Sequence, residues 1–177
     1  GLKSQFVIIK DELKKRNLEA FFFIYSSIFT DQTSPLEFYR DFRLTNFENI
    51  DSFYSSFLDF FDKNFSKEFY LFQKNFSISY PDEFPFYTEN DKKFRFARDV
   101  ILGQEKYFEI MDRMITYYNY DKYIRKEKLL INEEDLISLY KDGHLIGLHS
   151  HSHPTSIDKL SYDKQLKEYA TNLEILE

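Results

Sequence analysis

The sequence predicts an α/β fold that is mostly helical and contains only two or three parallel strands. Two short apolar runs, residues 20–25 and 145–148, each follow a segment with helical spacing. This order is typical of parallel strands that are joined by helices. Residues 30–141, between the two runs, show little strand-like alternation and indicate helices. The 177 residues of the chain match the size of one ordinary domain.

The N-terminal segment predicts a helix over residues 3–17 and then a strand. Phe6, Ile9 and Leu13 recur at helical spacing, with charged residues between them. Residues 20–25 are continuously apolar. A run of this length is typical of a strand that is covered on both faces.

The middle region predicts four helices and one loop. The helices are expected at residues 35–43, 50–64, 92–102 and 105–118. The loop is expected at residues 79–88, where Pro81 and Pro85 interrupt regular structure.

The C-terminal segment repeats the order of helix and strand. Asn132 is expected to cap a helix that has three acidic residues in its first turn, and Gly143 ends that helix. The strand at residues 145–148 comes next. Ser161 then opens a helix whose apolar positions are spaced to face a core, namely Leu166, Tyr169, Leu173 and Leu176.

The composition excludes several classes of function. The chain has no cysteine, which excludes disulfide scaffolds and thiol catalysis. Its four glycines do not form a dinucleotide-binding or phosphate-binding loop. Its net charge of −6 and scattered basic residues argue against nucleic acid as a partner. No apolar run approaches the length of a membrane span, and the absence of a secretory signal fits a bacterial cytoplasm. The sequence does not predict an oligomeric state.

All four histidines, His144, His149, His151 and His153, fall within ten residues. An extended backbone would place the last three on one face, whereas a helical turn would bring only His149 and His153 together. Pro154 disfavours helical backbone at His153. Either geometry suits zinc or a similar divalent ion, provided that a distant residue supplies another ligand. The other interpretation is a polar loop whose histidines bind backbone and water. His144 is expected to be a cation at a helix C-terminus.

Residues 143–154, GHLIGLHSHSHP, resemble the second conserved motif of the polysaccharide deacetylases, the NodB-homology family of carbohydrate esterases. In that family a strand reading G-H-x-I-G leads into H-[ST]-x-x-H-P, whose two histidines bind a metal. The resemblance implies that His149 and His153 bind a divalent metal, most simply zinc. It also implies that Gly147, Ser150 and Pro154 support the motif. His151 matches no specified position, has no catalytic role, and is expected to face solvent.

The N-terminus resembles the segment directly after the first motif of the same family, T-F-D-D-G. Gly1 then takes the place of the motif glycine, and the resemblance implies that the two aspartates precede it. In the family these aspartates are the catalytic base and the third metal ligand. This chain by itself is therefore expected to bind metal poorly and to have little or no activity. Should the chain supply a third ligand itself, the candidates are Asp158 or a carboxylate of the middle region.

The resemblance implies part of a distorted (β/α) barrel of the NodB type, with a large helical insertion and an exposed sheet edge. Residues 1–177 would form one incomplete domain. Residues 1–29 would hold the first helix and strand, residues 30–141 the insertion, and residues 142–177 the metal-motif strand, loop and helix. The implied activity is metal-dependent N-deacetylation of an N-acetylated sugar or polysaccharide. Two alternatives are a relative that has lost catalysis and acts as a binding module, and an unrelated helical interaction protein.

Overall fold

The computed structural model describes residues 1–79, 86–154 and 156–177, which are mostly helical. The chain divides into two compact units. The sheet unit combines Gly1–Phe38 with Lys122–Glu177, and the helical unit is Tyr39–Asp121. None of the described helices combines the length and the apolar character that a membrane crossing requires.

The described residues form two strands and a series of helices. The strands are β1 (Phe21–Ile24) and β2 (Leu145–Leu148). The helices are α1 (Lys3–Arg16), α2 (Leu36–Thr45), α3 (Ile50–Asn64), α4 (Ser66–Ser79), α5 (Glu89–Phe96), α6 (Gly103–Tyr117), α7 (Lys122–Leu129), α8 (Glu133–Lys141) and α9 (Tyr162–Leu176). A π-helical segment, Ala97–Leu102, joins α5 to α6, and Ser26–Phe29 and Ile157–Lys159 are short 3-10 turns.

Most predicted helices agree with the structure to within a few residues. The bounds of α1, α3 and α9 match the expectation closely, whereas α4 and α7 were not predicted. Phe69, Phe72 and Phe76 of α4 do recur at helical spacing, so the sequence contained a signal for this helix that was overlooked. The loop predicted at residues 79–88 falls largely on residues 80–85, which lie outside the described residues.

The two strands of the sheet unit are parallel and in register, from Phe21 opposite Leu145 to Ile24 opposite Leu148. Aromatic and β-branched residues favour this extended backbone. The strand prediction is confirmed, but the expectation that both faces of β1 are covered is wrong. Phe21 and Phe23 are 60% and 59% exposed, while Ile24 on the opposite face is buried. Among the described residues, this face of the sheet has little cover.

Helix α8 begins and ends as the sequence predicts. The Asn132 side chain accepts from the backbone N–H of Asp135 at 3.0 Å, and the Asp135 carboxylate accepts from the backbone N–H of Asn132 at 3.1 Å. This reciprocal pair is a capping box, which satisfies donors that a helix start leaves unpaired. Gly143 ends the helical region at a φ of 88°, a conformation that glycine adopts without strain.

The helical unit is held together by an aromatic core. Phe57 of α3 has no exposed surface, and its ring centre lies 4.9 Å from that of Phe94 and 6.1 Å from that of Tyr107. The contact with Phe94 is edge-to-face, an arrangement that aromatic rings prefer over a face-to-face sandwich. Many phenylalanines of this region, such as Phe53 and Phe61, therefore serve as core residues.

Helix α9 packs against the sheet unit by a different face from the one predicted. Leu166, Tyr169 and Leu173, which were expected to face a core, are 55%, 45% and 44% exposed. Asn172 is the fully buried residue of this helix. The apolar periodicity correctly predicted a helix. The side of this helix that packs in the sheet unit is polar, because its residues form hydrogen bonds with the loop after β2.

Candidate metal centre

The histidine loop, residues 149–153, begins where β2 ends. Tyr25 occupies the equivalent position after β1. The carboxyl ends of parallel strands lie at the same edge of a sheet, which is where ligands bind in many α/β proteins. The loop therefore occupies the edge at which a site is expected.

His149 and His153, the imidazole pair, lie next to each other. Their ring centres are 5.0 Å apart and the ring planes meet at 37°. A zinc ion about 2.0–2.1 Å from one nitrogen of each ring, at the tetrahedral angle, separates two imidazole centres by about 5.2 Å. The spacing of the pair is therefore compatible with a shared divalent ion.

The loop achieves this proximity without a helical turn. Ser150 and His153 have φ angles of 63° and 56°, in the left-handed region. For residues other than glycine this conformation costs roughly 1–2 kcal/mol each. Because Pro154 disfavours right-handed helical backbone at the residue before it, the left-handed conformation at His153 is one way to keep the ring near His149. Of the two backbone geometries considered from the sequence, neither is correct, although the predicted convergence of His149 and His153 is found.

Two aromatic side chains flank the imidazole pair, one from β1 and one from the residue after it. The Tyr25 ring stacks on that of His153, with centres 5.0 Å apart and planes at 23°. The Phe23 ring lies 6.4 Å from that of His149, at 50°. These contacts restrict the orientation of each imidazole, which limits the entropy that metal binding would otherwise remove.

Helix α9 anchors the loop through two polar residues that the sequence did not identify. The Asn172 side chain accepts from the backbone N–H of His149 at 2.9 Å and donates to the Ile24 carbonyl at 3.0 Å, so it links the ends of both strands. Glu168, four residues earlier, accepts from the backbone and side chain of the loop. Their i, i+4 spacing places both on one face, but polar residues occur throughout this helix, so no local pattern singled these two out.

His151 does not join the imidazole pair, as the sequence indicated, but the expectation that it faces solvent is wrong. Its ring is half-buried, and Nδ1 lies 3.0 Å from the Ser26 hydroxyl oxygen. The Ser27 backbone N–H also donates to the His151 carbonyl at 3.0 Å. These two bonds join the middle of the loop to the 3-10 turn after β1.

His144 lies outside the site. It comes after α8 as predicted, but its side chain is 5% exposed and packs 5.3 Å from the Phe22 ring. Its Nδ1 atom is buried and has no hydrogen-bond partner within the part of the chain that the structure describes. His144 therefore contributes to packing at the sheet.

The motif-support residues occupy structural positions. Ser150 is buried and adopts the left-handed backbone conformation described above. A Cβ atom added to Gly147 would lie 2.8 Å from a Phe23 ring carbon, so the close approach of that ring favours glycine. Pro154 is half-buried and comes directly after the second histidine of the pair.

The third ligand is not found within residues 1–79, 86–154 and 156–177. No group of three potential metal-binding side chains converges there. Asp158, a candidate from the sequence, is exposed in the 3-10 turn Ile157–Lys159, and both carboxylate oxygens of Glu168 already accept bonds from the loop. The described residues thus provide two imidazoles, whereas catalytic zinc sites commonly use three protein ligands.

The chain matches no protein-family model, and it matches neither a curated protein nor a solved structure. The resemblance to polysaccharide deacetylases therefore depends only on residues 143–154 and on the N-terminal segment.

Proposed function

We propose that this chain is part of a metal-dependent deacetylase of N-acetylated sugars or polysaccharides, in which His149 and His153 are two of the metal ligands. The observation that supports this proposal is the imidazole pair, with ring centres 5.0 Å apart at the carboxyl ends of two parallel strands. The H-S-x-x-H-P sequence around the pair supports the choice of reaction.

A bound divalent ion, zinc in the first instance, would polarise the acetamide carbonyl and lower the pKa of its bound water. The chain itself contributes the ligand positions. Tyr25 stacks on the His153 imidazole, Phe23 lies beside that of His149, and Asn172 fixes the start of the loop relative to β1. Neither a third ligand nor a general base is assigned to a residue of this chain, so the chain alone is proposed to have little or no activity.

The test is release of free amine from N-acetylated chito-oligosaccharides by zinc-loaded protein of full natural length. His149→Gln and His153→Gln are each expected to reduce the rate at least 100-fold, because the metal loses one of its ligands. Lys159→Gln, an exposed change near the loop, is the matched control and should leave the rate unchanged. Equal rates for the histidine variants and the control would refute the proposal.

A binding module without catalysis is the second candidate. Both candidates expect no three-ligand cluster among the described residues, so the assay is what distinguishes them. Binding of the same oligosaccharides by the zinc-loaded full-length protein, without release of amine, would select this candidate.

A further inference from the structure

Glu168 contacts the histidine loop through both of its carboxylate oxygens. Oε2 accepts from the backbone N–H groups of His151 and Ser152, at 2.9 and 2.7 Å, and Oε1 accepts from the Ser152 hydroxyl at 2.7 Å. Hydrogen bonds to an ionised carboxylate are roughly twice as strong as those between neutral groups. A single side chain of α9 thus holds two consecutive residues of the loop.

We propose that Glu168 is a positioning residue that keeps the imidazole pair in metal-binding geometry. His149 and His153 lie on opposite sides of the two residues that Glu168 holds. Because Ser150 and His153 have left-handed φ angles, the backbone on both sides of this contact is in a conformation that local preference disfavours. Without the carboxylate, the loop is expected to relax and the two rings to separate.

The same contacts distinguish this positioning role from a direct role as metal ligand or general base. Among the described residues, Glu168 does not converge with the imidazole pair in a three-residue metal-binding group, and its three hydrogen bonds are all to the loop. Residues that orient metal ligands without touching the metal typically change metal affinity 10- to 100-fold when they are replaced. The inference rests on the proposed function in one respect, which is that a divalent metal is the ligand of the imidazole pair.

The test compares the unaltered chain with Glu168→Gln. The glutamine keeps the size of the side chain, but its NH₂ group meets an N–H or O–H donor of the loop. One measurement is the nuclear Overhauser effect between ring protons of His149 and His153 without metal. The other is the Zn²⁺ dissociation constant from the shifts of the same rings. We expect the Overhauser effect to disappear and the constant to rise 10- to 100-fold.

Two further variants complete the design. Glu174→Gln changes an exposed carboxylate of the same helix and should leave both measurements unchanged. Ser152→Ala removes only the bond to Oε1 and should raise the zinc constant by a smaller factor, which keeps the test valid if Glu168→Gln fails to fold. The inference is overturned if Glu168→Gln leaves both the Overhauser effect and the zinc affinity unchanged. If that variant does not fold, the same result in Ser152→Ala overturns it.

The outcomes also separate this inference from the proposed function. If the unaltered chain shows the Overhauser effect but no zinc-dependent shift at either ring, even at a zinc concentration high enough to reveal weak binding, the proposed function fails. Loss of that effect in Glu168→Gln would then still support positioning. If zinc binds through both rings with equal affinity in the unaltered chain and in Glu168→Gln, positioning fails and the metal site stands.

Discussion

Replacing Asn172 with alanine is expected to lower the free energy of unfolding of the sheet unit by about 2–4 kcal/mol. The side chain is fully buried and makes two hydrogen bonds, to the N–H of His149 and the carbonyl of Ile24. Each buried group that loses its partner costs about 1–3 kcal/mol, which takes the place of the smaller net value of the bond itself. Water reaches the exposed His149 more easily than the buried Ile24, so the penalty at His149 lies at the low end of its range.

The assay is a urea titration followed by the backbone amide signals of β1 and β2, which report on the sheet unit. Lys167→Ala, on the exposed side of α9, is the matched control and should change the free energy of unfolding by less than about 0.5 kcal/mol. The amide of His149 should also exchange with solvent faster in Asn172→Ala. A loss no larger than that of the control would show that Asn172 does not join the strand ends.

Three other predictions concern the aromatic core of the helical unit and the motif glycine. Phe57→Ala should destabilise the helical unit by about 3–5 kcal/mol in urea, because its ring is fully buried; a loss below about 1 kcal/mol would contradict this. Burial raises the pKa of Tyr107 to about 12, so stability should fall between about pH 10 and 12, and Tyr107→Phe should make that fall shallower rather than leave it unchanged. Gly147→Ala should lower stability by about 1 kcal/mol in thermal unfolding, since the largely exposed Phe23 ring must move away; an unchanged or higher midpoint would argue against that contact.

Local signals in the sequence predicted much of the fold. Asn132 and Gly143 mark the ends of α8 because capping and left-handed conformations depend on residues close in sequence. The apolar runs at β1 and β2 predicted the strands, and the order of elements predicted that they are parallel. These features result from backbone preferences that a short segment already contains.

Features that depend on distant residues were predicted less well. Periodicity shows which side chains of α9 share a face, but it does not show which face meets the sheet, so Leu173 was assigned to a core and Asn172 was overlooked. The contact of His151 with Ser26 joins residues 125 positions apart, and no local pattern indicates it. The convergence of His149 and His153 was expected, because the two residues are close in sequence. The residues that support it are more distant in the chain and were not predicted.

The most direct test of the central claim is the zinc K-edge X-ray absorption spectrum of the chain mixed with one equivalent of Zn²⁺ at high protein concentration. We expect scattering from two imidazoles, and we expect it to disappear in the double variant His149→Gln, His153→Gln. A spectrum without imidazole scattering, or one that the double variant leaves unchanged, would show that the pair does not bind the ion.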